Sequence, residues 1–321
     1  FYTSDTSRAT VYQMTASNNL NSTSFLSGAL DSGSAMTFET EVIFPKQTLE
    51  NDIKWFPYKY LTSSIFGIHS TKDGPDEGDT GWRSLDLANF QVHAVRKTVA
   101  QEIVGGRGYT SADARFMLTS SRKSLAIELT SSTFRGVYDN KKWNFAVRVL
   151  PKSHPQSYKL GGTQHDNQDY RVEFYGVNID KDTVANYFYV TGTANYLRGQ
   201  SFITSSKRLY VGAERTDFSG GLLVPADSRI SSTRVWADYP SNGVINAHAR
   251  DASNYGTLNT YWHAYPGQAE LGDIYIPQID TLALHWDFST VSSSNDDGTF
   301  SVPDISSGSV RNIDRYGKHG H

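Results

Sequence analysis

Lys207-Arg208-Leu209-Tyr210-Val211-Gly212-Ala213 reads as a short strand ending on a glycine, and Phe218-Ser219-Gly220-Gly221 as a loop with a glycine pair. Ile230-Ser231-Ser232-Thr233-Arg234-Val235-Trp236 then reads as a second strand in which apolar and polar side chains alternate. Two short strands punctuated by glycine are a unit of antiparallel sheet, because glycine supplies the backbone conformations that tight reversals need. Elsewhere in the chain, residues 38–44, 64–69, 90–95, 115–119, 125–129, 143–149, 170–175 and 188–190 have the same character. In Leu125-Ala126-Ile127-Glu128-Leu129 and Val172-Glu173-Phe174, large apolar residues alternate with small or charged ones, the period of a strand with one buried face. Loops of Gly, Asp, Asn and Ser separate these segments, and no dozen-residue stretch keeps a helical period. The pattern predicts an all-β chain of two packed antiparallel sheets, with Phe38, Ile127, Trp143, Phe174, Val211 and Trp236 buried. One short helix is expected at 244–250, after the Ser241-Asn242-Gly243 turn.

The 207–236 stretch resembles the closing segment of laminin-G-like, concanavalin A-like jelly-roll domains, in which two such strands precede a short helix, here Gly243-Val244-Ile245-Asn246-Ala247-His248-Ala249. Thr37-Phe38-Glu39-Thr40-Glu41-Val42-Ile43-Phe44-Pro45 is similar to an early strand of that family, and Lys142-Trp143-Asn144-Phe145-Ala146-Val147-Arg148-Val149 to a middle one. Tyr170-Arg171-Val172-Glu173-Phe174-Tyr175-Gly176-Val177-Asn178 looks like its hairpin. The segments occur in family order. The departure is Ile230-Ser231-Ser232, where the family reads Ile-Asp-Glu, so no contact made by that acidic pair carries over. The resemblance implies a two-sheet jelly roll over residues 35–250.

A chain of 321 residues can hide about three quarters of its unfolded surface. Aromatic content of 13% with 26 glycines suits a packed β-protein rather than a disordered one. A net charge of −3 argues against nucleic acid as partner. The absence of cysteine removes disulfides, thiol catalysis and cysteine metal sites, and favours a bacterial or viral origin. No run approaches the roughly 18 apolar residues of a membrane span, so membrane insertion is not expected. Residues 1–34, crowded with Ser, Thr and Asn, read as an irregular arm or edge segment, and 251–280, with Tyr255, Tyr261, Trp262 and Tyr265, as an aromatic-rich linker. Within 281–321, Leu282-Ala283-Leu284-His285-Trp286-Asp287-Phe288 is either a C-terminal strand of the sandwich or the truncated start of a second, similar domain. Together with a first residue that is not methionine, the latter reading suggests a piece of a longer protein.

Sandwich glycosidases carry two carboxylates on alternate residues of one strand, so that both reach one substrate. Here Glu39-Thr40-Glu41 comes nearest to that pattern, and a solvated strand face is the simpler account of it; a glycoside hydrolase is a remote alternative. Asp73, Asp76, Glu77 and Asp79 crowd one glycine-containing loop, with the oxygen chemistry of a calcium site or of a charged hairpin loop. Asp166, Asn167 and Asp169 form a poorer set. The histidines fall singly, without a zinc-binding pair, and no Gly-x-Ser-x-Gly elbow occurs. Trp82 and Tyr109, with Tyr138 and Tyr239, fall in loops or at strand ends, where an aromatic face can stack on a sugar. No cofactor is expected, with calcium as the exception.

These features lead to two expectations. The first is a non-enzymatic structural or decoration module of a large bacteriophage virion protein, packing against neighbouring virion proteins or copies of itself. The second is a glycan-binding adhesion module of a viral fibre or bacterial surface protein, located extracellularly or on a cell and facing host-surface glycan.

Overall fold

The computed structural model describes residues 12–14, 35–46, 61–70, 89–98, 110–152, 154, 168–204, 207–215, 222–251, 254, 282–289, 293–294 and 300–306. In chain order the strands are β1 (Tyr12–Met14), β2 (Met36–Phe44), β3 (Thr62–Ser70), β4 (Phe90–Thr98), β5 (Thr110–Thr119), β6 (Glu128–Thr130), β7 (Lys141–Pro151), β8 (Tyr170–Asp180) and β9 (Thr183–Ala194). After helix α1 (Tyr196–Thr204) follow β10 (Lys207–Val211), β11 (Ala213–Arg215), β12 (Leu222–Pro225) and β13 (Arg229–Trp236). Helix α2 (Asn242–Arg250) precedes β14 (Leu282–Asp287), β15 (Ser293–Ser294) and β16 (Phe300–Ser301).

Two six-stranded antiparallel sheets result, in the orders β1-β10-β3-β4-β5-β6 and β14-β13-β2-β7-β8-β9. The all-β sandwich expected from strand period is what the chain forms. Aromatic residues of each sheet meet in the layer between them: Phe38 of β2 meets Phe90 of β4 at 5.2 Å between ring centroids, and Trp143 of β7 meets Phe116 of β5 at 4.7 Å. Each fully buried side chain of this size is worth about 1.5–3 kcal/mol relative to exposure. Phe38, Ile127, Trp143, Phe174 and Trp236 are buried as expected, whereas Val211 is half-buried at the margin of the core.

All ten expected strand segments coincide with strands, 125–129 only at its end, where β6 begins at Glu128. Helix α2 was anticipated and α1 was not. Asn195 caps α1 by accepting from the Arg198 amide at 3.0 Å, and α1 inserts Phe202 between the sheets, 6.1 Å from Phe38 and 6.3 Å from Phe90. Gly199 lets α1 lie directly on Tyr170, since a Cβ there would sit 2.1 Å from that ring. Strand β14 pairs with β13, Trp286 opposite Thr233, so the 282–287 segment forms an edge strand of the second sheet. Tyr12–Met14 pairs with β10, giving the N-terminal arm one edge strand within the chain. Of the expected linker 251–280, only Asp251 and Asn254 lie within the described residues.

Candidate functional site

In the second sheet the alternate positions that point away from the core are polar, yet they are not in water. Glu39 and Glu41 on β2, Asn144 and Arg148 on β7, Glu173 on β8 and Arg234 on β13 are all buried, which corrects the expectation of a solvated Glu39–Glu41 face. The cover is α2. Ser241 caps it, its side chain accepting from the Val244 amide at 3.4 Å, and Ile245 and Ala249 pack on Ala146, Tyr175 and Val177 of the sheet. Once the helix is seated on this apolar patch, every charged group beneath it needs a partner, because an unpaired buried charge costs far more than a hydrogen bond returns.

Glu39 occupies the centre. Its carboxylate accepts from Asn144 Nδ2 at 2.7 Å, from Trp236 Nε1 at 3.0 Å and from His248 Nδ1 at 2.9 Å. The Trp236 indole stacks on the His248 ring at 5.1 Å and 10°. Trp236 is therefore buried between sheet and helix, not between the two sheets. Arg234, opposite Glu39 in the strand register, donates to the Asn254 carbonyl at 3.3 Å and lies 3.4 Å from His285 Nε2. Burial alone pushes the Glu39 carboxyl up, but His248, Arg234 and Asn144 more than offset this and hold it at about 2 against an ordinary 4.5. Burial lowers His248 below its usual 6.5 in spite of Glu39.

The sign of the resulting pH dependence is the same for both groups. Glu39 titrates lower folded than unfolded, so its stabilisation is complete above about 4.5 and is lost as pH falls toward about 2. His248 also binds its proton more readily when unfolded, so stability begins to fall below about 6.5. Asp304, raised by burial, acts in the opposite sense. Urea midpoints measured between about pH 7 and about pH 3 should fall, with Glu39 accounting for about 2 kcal/mol. Glu39→Gln should flatten that profile; an equally steep profile in the variant would place the acid-sensitive group elsewhere.

A second buried ion cluster lies nearer β9. Arg148 donates through Nη1 to Glu173 Oε2 at 3.2 Å and to Asn242 Oδ1 at 2.7 Å, while Arg171 Nε sits 2.6 Å from Glu173 Oε1. The Tyr239 hydroxyl donates to Glu173 Oε2 at 3.1 Å, and the Arg148 guanidinium lies 5.0 Å from the Tyr239 ring centroid. Asn242 and Asn246 of α2 close the arrangement, the latter accepting from the Tyr175 hydroxyl at 2.7 Å. Beyond this cluster the same face opens to solvent through Tyr189 and Tyr187 of β9, which are 45% and 63% exposed. Burial and then the Glu173 carboxylate push the Tyr189 hydroxyl up to about 12.

Neither carboxylate has the surroundings of a general acid: Glu39 is held ionised by its donors, and Glu173 is shared by two guanidinium groups and a phenol. The chemistry of both clusters is the pinning of α2 and of the β13–α2 connection to the sheet. Glu41 bonds Ser231 Oγ at 2.6 Å and pairs with Lys142 at 3.2 Å.

Among the aromatic residues expected to stack on sugars, Tyr138 is 2% exposed; it lies under Arg96, 3.5 Å from the ring centroid, and donates to Asp227 at 3.0 Å. That burial removes it from any ligand. Tyr239 is half-buried and engaged with Glu173. Trp82 and Tyr109, the calcium candidates Asp73, Asp76, Glu77 and Asp79, and Asp166 and Asn167 lie outside the described residues; Asp169 pairs with Lys152 at 3.8 Å. No group of three or more metal-ligating side chains occurs among the described residues, and no described helix is long and apolar enough to cross a membrane.

The clusters left a trace in the sequence that periodicity alone does not decode. Charges of both signs occupy the outward parity of β2, β7, β8 and β13, and a helix with apolar small residues follows β13. Charges on neighbouring strands of one face are as common where the face is solvated, so it is α2 that marks this face as covered. No model of a known protein family matches the chain, and no curated protein matches it.

Proposed function

We propose that this chain is a non-enzymatic structural module of a large virion protein, packing against other proteins of a particle. One observation carries the reading. Several charged groups of the second sheet's outer face are engaged beneath α2, while four of the five exposed large apolar side chains among the described residues lie along the edge strand or just after it: Val184, Tyr187 and Tyr189 on β9 and Leu197 on α1. Exposed apolar groups gathered at an edge suit contact with another surface. The assignment to a bacteriophage particle comes from the laminin-G-like resemblance and the lack of cysteine. Chemical cross-linking of intact particles, followed by mass spectrometry, should join this chain to other structural proteins. Recovery of the chain only from cell surfaces, with no particle cross-link, would overturn the reading.

The adhesion reading is favoured by one feature, the exposed faces of Tyr187 and Tyr189 near the part-exposed Arg171 guanidinium, a combination that can stack on a sugar and bond its hydroxyls. In either case polysaccharides should stay intact on long incubation with the protein. Release of reducing ends that disappears in Glu39→Gln or Glu41→Gln would instead establish a hydrolase.

A further inference from the structure

We infer that β9 is a self-pairing edge, through which two copies of this chain join their second sheets into one continuous antiparallel sheet. Edge strands are normally kept from pairing by shortness, charge or proline. The other described edges follow that rule: β1 and β6 have three residues each, and β14 carries His285 and Asp287 on six. Strand β9 has twelve residues, Thr183-Val184-Ala185-Asn186-Tyr187-Phe188-Tyr189-Val190-Thr191-Gly192-Thr193-Ala194, with no charged residue and no proline. Its one described pairing is with β8, and it ends the sheet order.

The occupant follows from the sequence of the strand. About Phe188 it is nearly symmetric, so that an antiparallel second copy centred on that residue sets Tyr187 opposite Tyr189, Tyr189 opposite Tyr187, and Asn186 opposite Val190. Phe188 points into the core, at 6% exposure, so its two neighbours point outward in both copies. The two-fold axis runs perpendicular to the sheet and keeps faces matched. Four tyrosines then form one outer cluster of cross-strand aromatic pairs, a side-chain contact that stabilises sheets. With no charge on the strand, self-pairing meets no like-charge repulsion. The register shift between Asn178 and Ile179 leaves Ala185 as a bulge and ends the new ladder at Asn186. Beyond it, the acidic Asp180 and Asp182 of each copy approach the other's β9–α1 junction, where Arg198 stands. The contact uses the same patch on both copies and closes on itself, which makes a dimer and not a fibre.

The inference rests on the packing role proposed above and names the partner. Sedimentation velocity should give a mass about twice 35.7 kDa. The double variant Tyr187→Lys/Tyr189→Lys faces lysine with lysine and should weaken the dimer at least about tenfold, as should Tyr187→Glu/Tyr189→Glu. Mixing the two variants should restore it, a rescue that simple misfolding does not produce. A monomeric wild-type chain, or a lysine variant that dimerises unchanged, overturns the inference. A monomer that still cross-links to other particle proteins would remove self-pairing and leave the packing role; one without such contacts would remove both.

Discussion

Glu39→Ala should lower the unfolding free energy by about 3–5 kcal/mol, the cost of removing one partner from a buried charge cluster. The substitution takes the shared acceptor from Asn144 Nδ2, Trp236 Nε1 and His248 Nδ1, and removes from the interior a negative charge that the Arg234 guanidinium interacts with. The cost is in desolvated donors more than in lost contacts, so Glu39→Gln, which keeps an acceptor oxygen, should recover part of it. Chemical denaturation at neutral pH measures both. Because the cluster seats α2, amide exchange in 242–250 should rise in the alanine variant before exchange in the inter-sheet strands does. A change below about 1 kcal/mol would mean that water already reaches Glu39.

Trp143→Ala should cost a similar amount, about 3–5 kcal/mol, by a different mechanism. Trp143 is 1% exposed and its ring lies 4.7 Å from Phe116, 4.9 Å from Phe134 and 6.0 Å from Phe145, bridging the two sheets. Truncation leaves a cavity bounded by rigid rings on strands, which collapse poorly. The indole nitrogen has no hydrogen-bond partner among the described residues, so Trp143→Phe removes a buried unsatisfied donor along with some volume and should cost less than about 1.5 kcal/mol. Thermal or urea midpoints distinguish the two. Equal losses for alanine and phenylalanine would mean that the indole nitrogen contributes a bond of its own.

What local sequence carried, it carried through period and capping. Alternation marked β2, β7 and β8, and Ser241 announced α2, because both signals act between residues a few positions apart. Helix α1 escaped notice because Gly199, Ser201 and Thr204 are weak helix formers; its helical state follows from where Phe202 docks. The resemblance places a hairpin within 170–178, whereas the chain continues as one strand to Asp180 before it reverses. It turns on Lys181 and Asp182, both with positive φ, without the glycine or asparagine that usually signals such a turn.

The candidate site belongs to tertiary structure for a simple reason. Glu39 meets Asn144, Trp236 and His248 across 105, 197 and 209 residues of chain. Alternation in β2 told only that Glu39 and Phe38 face opposite ways; it held no information on what would lie over Glu39. That was decided when Ile245 and Ala249 of α2 found Ala146, Tyr175 and Val177, turning a polar face into an interior and forcing its charges to pair. The edge at β9 is the converse case. Its length and neutrality were written in the residues, but only the strand order left it at the margin of the sheet, where exposed tyrosines, and an edge without a second strand among the described residues, can meet a second molecule.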